Sequence, residues 1–347
     1  MALIRPFQNS DLPGVFEVWM RHWRAAKQTP PVSVSILERA IMSRQFFDPQ
    51  TLLVGLADGQ VIAWAHWFAD PPRHSAPSDG SGQEPPVRDG GDDDVHGATI
   101  AAFCLADEPG LAICDQLLLE VEADLKRRGM RQVRVGTVRD ERNGYAGLAP
   151  IGHGIGIPVS DARTNSMLSR HGYHVDRNLD RMVAHTSTYR PPVNRSFLQF
   201  RRSTRLDHLA VLPHGQRTSA AMSHFDIERH ILMDHRQQEP LAVCGLWMGD
   251  PEVQVMESSR AILSLHLVDA TDFHGCPMGV DPGPENPREL SDEKLFLITS
   301  MVQSLSNRQI FTVETSVDRG ETTLIEQLKQ LKFESIEPGR QWYKELQ

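Results

Sequence analysis

A chain of 347 residues is longer than one hydrophobic core comfortably encloses, so two domains are expected. Its 40% hydrophobic and 23% charged residues fit a soluble globular protein. The formal charge of −9 argues against a nucleic-acid partner, which would need a basic surface to displace counterions.

No stretch reaches the roughly 18 consecutive apolar residues of a membrane helix, so no membrane association is expected. The opening Met1-Ala2-Leu3-Ile4-Arg5-Pro6 lacks the apolar core of a signal peptide. Cys104, Cys114, Cys244 and Cys276 show no Cys-x-x-Cys spacing and sit mostly in apolar runs, which reads as buried reduced thiols. A cytoplasmic location fits all three observations.

In chain order, the first element is a short strand at Leu3–Arg5. Asn9-Ser10-Asp11 then offers side chains that can accept the free N–H groups of a first helical turn. Leu12, Val15, Phe16, Trp19 and Trp23 follow at helical spacing. Pro30-Pro31 breaks the chain before a short helix at Ser35–Met42. Thr51–Ala57 and Val61–Phe68 read as strands joined at Asp58-Gly59, a pair that tolerates positive φ in a tight hairpin.

Residues 70–97, rich in Pro, Gly, Ser and Asp, read as a disordered insertion, and the Asp92-Asp93-Asp94 run within it as a solvated acidic loop. Ala98–Ala106 is almost wholly apolar and reads as a central strand. A helix from about Leu111 to Arg128 turns Leu117, Leu118, Val121 and Leu125 inward and stops at Gly129. Gln132–Val138 is a strand, Asp140–Val159 a Gly-rich loop and Asp161–Arg170 a helix ended by Gly172. A strand around Asp180–Thr186 is expected to close this first unit.

Tyr189-Arg190-Pro191-Pro192-Val193 opens a linker over 189–204. Strands follow at Phe225–Met233, Leu241–Met248 and Ala261–Val268, then a Ser291-capped helix with Leu295, Ile298, Met301, Val302 and Leu305 inward. Strand Ile310–Val317, helix Glu321–Leu331 and strand Gln341–Lys344 complete the chain. This order parallels the first half from its hairpin onwards, without a residue-level repeat.

Two signatures lift the reading above a generic α/β protein. The opening Ile4-Arg5-Pro6-Phe7 with Asp11-Leu12-Pro13 resembles the first strand and helix of GNAT acetyltransferases. Met167-Leu168-Ser169-Arg170-His171-Gly172-Tyr173 resembles the end of that family's fourth helix, and Gln327-Leu328-Lys329-Gln330-Leu331-Lys332-Phe333 repeats it. The stretch from Gly144-Tyr145-Ala146-Gly147-Leu148 to Ser160-Asp161 is similar to uncharacterised bacterial tandem GNAT proteins. The resemblance implies an α/β protein of two tandem GNAT folds, each a mixed, partly splayed sheet flanked by helices. The first unit spans 1–188 and a degenerate second copy 205–347.

It further implies an acyl-CoA-dependent N-acyltransferase, taking acetyl-CoA as co-substrate and a small-molecule or peptide amine as acceptor, with no metal. The cofactor would lie along Cys104, Leu105 and Ala106 and against the helix opening at Gly110, Leu111 and Ala112. There the family's cationic or amide residue is replaced by Asp107, with Glu108 beside it. Such a carboxylate about 6 Å from a phosphate costs on the order of 3 kcal/mol at an effective dielectric of about 20, with Arg139, Arg142 and Arg163 as possible compensating cations.

Many relatives donate a proton from a Tyr on the fourth helix; the matching positions here are Leu168 and Leu328. Tyr145 is the substitute by residue type, its other reading being a packing aromatic. His66 is a candidate base or an ordinary strand histidine, and Asp161 a cofactor contact or a helix cap. Asp140, Glu141 and Asp161 would suit a cationic amine. The second copy, whose long segment carries Asp272, Asp281 and Glu285, shows no phosphate loop and reads as a structural or substrate-shaping partner.

Two further patterns carry less. His224, His230 and His235 have neither helical nor zinc-site spacing. Gly152-His153-Gly154-Ile155-Gly156 lacks a dinucleotide context and reads as a flap over the cleft or as a plain flexible loop. A rival to the enzyme reading is a degenerate GNAT pair that binds a ligand or a protein.

Overall fold

The computed structural model describes residues 3–30, 33–70, 96–139, 144–192, 194–213, 216–236, 239–265 and 289–346. Most of the expected insertion (71–95, with Asp92, Asp93 and Asp94) lies outside them. So do Asp140, Glu141, Arg142, Cys276, Asp272, Asp281 and Glu285.

The first half begins with β1 (Leu3–Pro6), α1 (Leu12–Ala25) and α2 (Val34–Leu37), the last continued by a π-helical turn at Glu38–Met42. Asp11 does not cap α1. Its carboxylate takes the Gln8 N–H at 2.8 Å and both terminal nitrogens of Arg5 at 2.7 and 2.8 Å, so it fixes the turn from strand to helix. The hairpin β2 (Leu52–Ala57) and β3 (Gln60–Ala69) turns at Asp58 (φ 50°) and Gly59 (φ 78°), as their residue types demand.

Then come β4 (Gly97–Leu105), α3 (Asp107–Arg127), β5 (Gln132–Val135), the two-residue β6 (Ile157–Pro158), α4 (Ala162–Arg170) and β7 (His174–His185). α3 starts four residues earlier than its apolar stripe suggests. Its Leu117, Leu118, Val121 and Leu125 are fully buried, each burial being worth roughly 1.5–3 kcal/mol.

The second half contains α5 (Arg195–Ser203), β8 (Thr204–Ala210), α6 (Gln216–Ala221), β9 (Phe225–Asp234), β10 (Pro240–Gly249), β11 (Arg260–Ser264), α7 (Asp292–Leu305), β12 (Thr312–Asp318), α8 (Thr322–Gln330) and β13 (Glu334–Glu345). Part of the expected 189–204 linker is therefore helical. Asn194 caps α5 through the Phe197 N–H at 2.7 Å, and Phe197 packs into the second half's core. β8 and α6 extend the parallel between the halves back to their first elements, beyond the hairpin.

All thirteen strands of the described residues share one sheet, in the order β1-β2-β3-β4-β5-β13-β7-β12-β11-β10-β9-β8, with β6 on β13. The halves match pairing for pairing. β4 and β5 are parallel, as are β11 and β12, and the strands before them pair antiparallel in both. The last strands are exchanged. β7 does not close the first unit; it runs between β12 and β13, while β13 runs antiparallel to β5. α4 and α8 are nine residues each, β7 and β13 twelve each, so the swapped pieces are equivalent in length.

The Gly-rich loop is neither a flap nor flexible-looking in its packing. Tyr145, Leu148, Ile151, Ile155 and Ile157 are all buried. A Cβ on Gly156 would collide with the Arg340 carbonyl of β13, and one on Gly339 with the Ile155 carbonyl. Here glycine serves close backbone approach between the two halves.

Candidate functional site

The first half contains a splayed gap. β5 pairs with β4 only as far as Ile100↔Val135. Gly136 then turns away at φ 91°, where a Cβ would sit 2.7 Å from the Ile157 nitrogen, and Thr137 O takes the Gly156 N–H at 2.9 Å instead. β4 carries its bulge at the same place: His66 faces Ala102, Trp67 faces Ile100, and Ala101 is the extra residue. The bulge sends Ala101, Ala102 and Cys104 to the α1 face, and Ile100, Phe103 and Leu105 to the α3 face.

Of the residues expected along the cofactor, Ala106 donates to Ile62 O of β3 at 2.8 Å. Cys104 pairs with Trp64, and its buried thiol is pushed well above its ordinary value by desolvation. By the alternation of an antiparallel ladder, Leu105 and Phe103 turn their amides toward the gap. The Leu105 N–H is already engaged there. It donates to His22 Nδ1 of α1 at 3.3 Å, which puts the ring proton on Nε2, 3.1 Å from Asp161 Oδ2. Arg163 of α4 closes the group, donating to the His22 carbonyl at 3.0 Å and to Nδ1 at 3.3 Å.

Asp161 also accepts the Thr164 N–H at 3.2 Å, the helix-cap role. Burial opposes its charge, but the His22 ring and Thr164 outweigh that and hold the carboxyl below its ordinary value. At 1% exposure Asp161 is committed to this group and offers nothing to a cationic amine.

Gly110 is not open to a phosphate as expected. A Cβ there would lie 2.7 Å from the Ile62 carbonyl, so its bare backbone serves the seating of α3 on the sheet. Leu111 is 42% exposed on the outer side of the helix, and Ala112 is exposed beside it. Asp107 is exposed at the first helical position, and Pro109 supplies no N–H. Leu168 is fully buried in the core under α3 and α4.

His66 and Tyr145, which are 79 residues apart, meet: Nδ1 lies 2.9 Å from the phenol oxygen, and both side chains are buried. Among the described residues His66 Nε2 has no hydrogen-bond partner. Phe47 and Phe68 flank the ring at centroid distances of 5.5 and 4.3 Å. Burial, then the charge of Arg217, lowers His66 to about 3, so the ring is neutral; burial pushes Tyr145 well up, so the phenol keeps its proton.

A second polar group lies where the halves join. Glu314 of β12 is 1% exposed. Its Oε1 is 3.2 Å from His153 Nδ1 of the Gly-rich loop, and its Oε2 takes Arg181 Nε and Nη2 of β7 at 3.0 and 2.7 Å. Arg139 donates to the His153 carbonyl at 3.1 Å. Burial opposes the charge of Glu314, yet His153, Arg181 and Arg139 hold its carboxyl far below the usual range, while burial lowers His153.

His22, Glu314 and Arg181 escaped the sequence reading. His22 had a signal, a histidine between Trp19 and Trp23 on an otherwise apolar helix face. Among the described residues no three His, Cys, Asp or Glu side chains are placed to hold a metal ion, and no helix is long and apolar enough to cross a membrane.

The sheet order, the parallel pair in each half, splayed in the first, and the exchanged last strands define two GNAT folds in tandem. Solved structures agree. A tandem GNAT protein of the clavulanic acid biosynthesis pathway, determined without acetyl-CoA, superposes with a TM-score of 0.59 at 11% identity, over 100% of this chain and 99% of its own. A GCN5-related N-acetyltransferase from Sphaerobacter thermophilus gives 0.57 at 11% identity, over 100% and 96%. A GCN5-related glucosamine N-acetyltransferase region of a fungal multi-domain β-N-acetylglucosaminidase gives 0.61 at 9% identity; there the match covers 99% of this chain but 38% of the other. At such identities the likeness establishes the fold. No protein-family model and no curated protein matches the sequence.

Proposed function

We propose that the chain is an acyl-CoA-dependent N-acyltransferase whose first copy carries the chemistry, with acetyl-CoA as donor and an amine as acceptor. The observation that carries this reading is the parted, bulged edge of β4. There the Leu105 amide is satisfied by a side chain, His22, rather than by a neighbouring strand. A side-chain acceptor can rotate away and yield the amide to a pantetheine carbonyl; a strand cannot.

The His66–Tyr145 pair supplies the proton path. The amine nitrogen attacks the thioester carbonyl and loses its proton to His66 Nε2. Nδ1 passes a proton to the Tyr145 oxygen, and the phenol proton goes to the CoA sulfur as the C–S bond breaks. The products are an amide and the free thiol. Passing the proton along spares the buried ring a full positive charge, which its burial disfavours. The second copy acts as a structural partner that completes the first unit's sheet through β13.

Release of CoA thiol from acetyl-CoA should depend on added primary amine, and Tyr145→Phe should lower kcat about 100-fold with little change in KM for acetyl-CoA. Amine-independent background alone would sink the enzyme reading. An undiminished rate in the variant would remove Tyr145 from the mechanism. The second reading, a ligand-binding pair without catalysis, is favoured by Asp107 at the phosphate end of the cleft and by apolar Leu168.

A further inference from the structure

A groove of about 460 Å³ opens between the halves. Ser43, Arg44 and Gln45 form one wall, and Gln216, Ser219 and Ser223 the other, so among the described residues its lining holds no carboxylate. Arg44 is half-buried there, and all its partners among the described residues are neutral. Nε donates to the Ala40 carbonyl at 3.2 Å, Nη1 to the Ser223 hydroxyl, and Nη2 to His224 Nδ1 at 3.2 Å.

His224 accepts as a neutral ring, because its Nε2 donates to the Ala146 carbonyl at 2.7 Å. Among the described residues these contacts use one N–H on each terminal nitrogen and leave the other of each to a ligand, and a guanidinium suits an oxyanion. Burial without a counter-charge also lowers the Arg44 pKa, a cost that a bound anion would relieve.

We infer that this groove binds an oxyanion, a carboxylate or phosphate carried by a small molecule, with Arg44 as the anchoring cation and the groove's hydroxyls and amides as further donors. The groove adjoins the candidate site. Arg217 of α6 lies over the rings of Phe46 and Phe68 at 5.4 and 5.7 Å, and the Phe68 ring lies tilted against His66 at 4.3 Å. The ligand is therefore the acceptor, an amine that also bears an acidic group, held by that group while its nitrogen reaches toward His66. Its identity as acceptor rests on the acyl-transfer proposal; the anion site does not.

The test is thermal unfolding of the full chain in sodium phosphate, in sodium acetate and in sodium chloride at equal ionic strength. At least one of the two oxyanions should raise Tm beyond chloride, and the arm that responds identifies the anion. Gln216→Glu, an exposed change that places a carboxylate near Arg44, should weaken that response at least fivefold, as should Arg44→Gln. Equal responses in wild type and Gln216→Glu, or none to either anion, would overturn the inference. In the transfer assay, Gln216→Glu should raise KM at least tenfold for an amine bearing the acidic group and leave KM for acetyl-CoA unchanged. An unchanged acceptor KM removes only the acceptor assignment, whereas absent transfer with an intact Tm response removes only the acyl-transfer reading.

Discussion

Between pH 7 and pH 4.5 the chain should lose about 5 kcal/mol of stability, as much as the whole margin of many domains, and histidines should carry the loss. His66 is fully buried and titrates at about 3 in the folded chain; His224, also fully buried, titrates at about 4. In the unfolded chain both take a proton near the ordinary histidine value of 6.5. Below that pH the unfolded state binds more protons than the folded one, so stability falls as pH falls. His153 shifts in the same direction.

The depressed carboxyls of Asp161 and Glu314 keep their contribution across this window and lose it only in stronger acid. Urea unfolding at pH 7.5, 6, 5 and 4.5 should show a slope of two to three protons, and His224→Gln should reduce it by about one. A flat profile over that range would contradict the burial of neutral rings.

Glu314→Gln should cost about 3–5 kcal/mol, because it keeps the side-chain shape and removes the carboxylate that takes both Nε and Nη2 of Arg181 in a buried site. Arg181 has a side-chain exposure of 12%, and Glu337, its remaining carboxylate, is 3.9 Å away. The neutral amide would also leave His153 a poorer partner. Three segments meet at Glu314: the loop of the first half, the exchanged strand β7, and β12. The loss should therefore appear as one cooperative transition at lower urea. Combining Glu314→Gln with Arg181→Gln should cost clearly less than the two single losses together, since the second change removes the uncompensated charge. A single-variant loss below about 1 kcal/mol, or additive losses, would mean that the network is slack.

The elements legible in the sequence were those whose own residues specify them. Asp58-Gly59 dictates its hairpin locally, and the α3 stripe of Leu117, Leu118, Val121 and Leu125 needs no partner to be recognised. β7 and β13 were seen only at their apolar ends. Their starts, His174–Asn178 and Glu334–Ile336, alternate or run exposed, so hydropathy hides them. The exchange of the two strands could not be read at all. Each follows a nine-residue helix and a positive-φ turn, at Gly172 or Lys332, and is twelve residues long. Local sequence is therefore compatible with pairing to either half, and tertiary packing decides.

The Gly-rich loop misled for a related reason. Gly156 and Gly339 are required by each other's backbone across 180-odd residues of chain, which composition alone reads as looseness. The candidate site was legible in its residue types and not in its assembly. His66 and Tyr145 stood out singly, and the fold brings them within 2.9 Å. His22, hidden in a tryptophan stripe, turned out to hold the β4 edge, and Gly110, chosen for a phosphate, packs against Ile62.

Whether the parted edge of β4 and the start of α3 receive an acyl-CoA is tested most directly by calorimetric titration of the full chain with acetyl-CoA. Binding is expected in the micromolar range, tightened about tenfold by Asp107→Lys, which replaces an exposed carboxylate at the start of α3 with a cation. No binding at about 1 mM acetyl-CoA in either protein, or equal affinity in both, would contradict it.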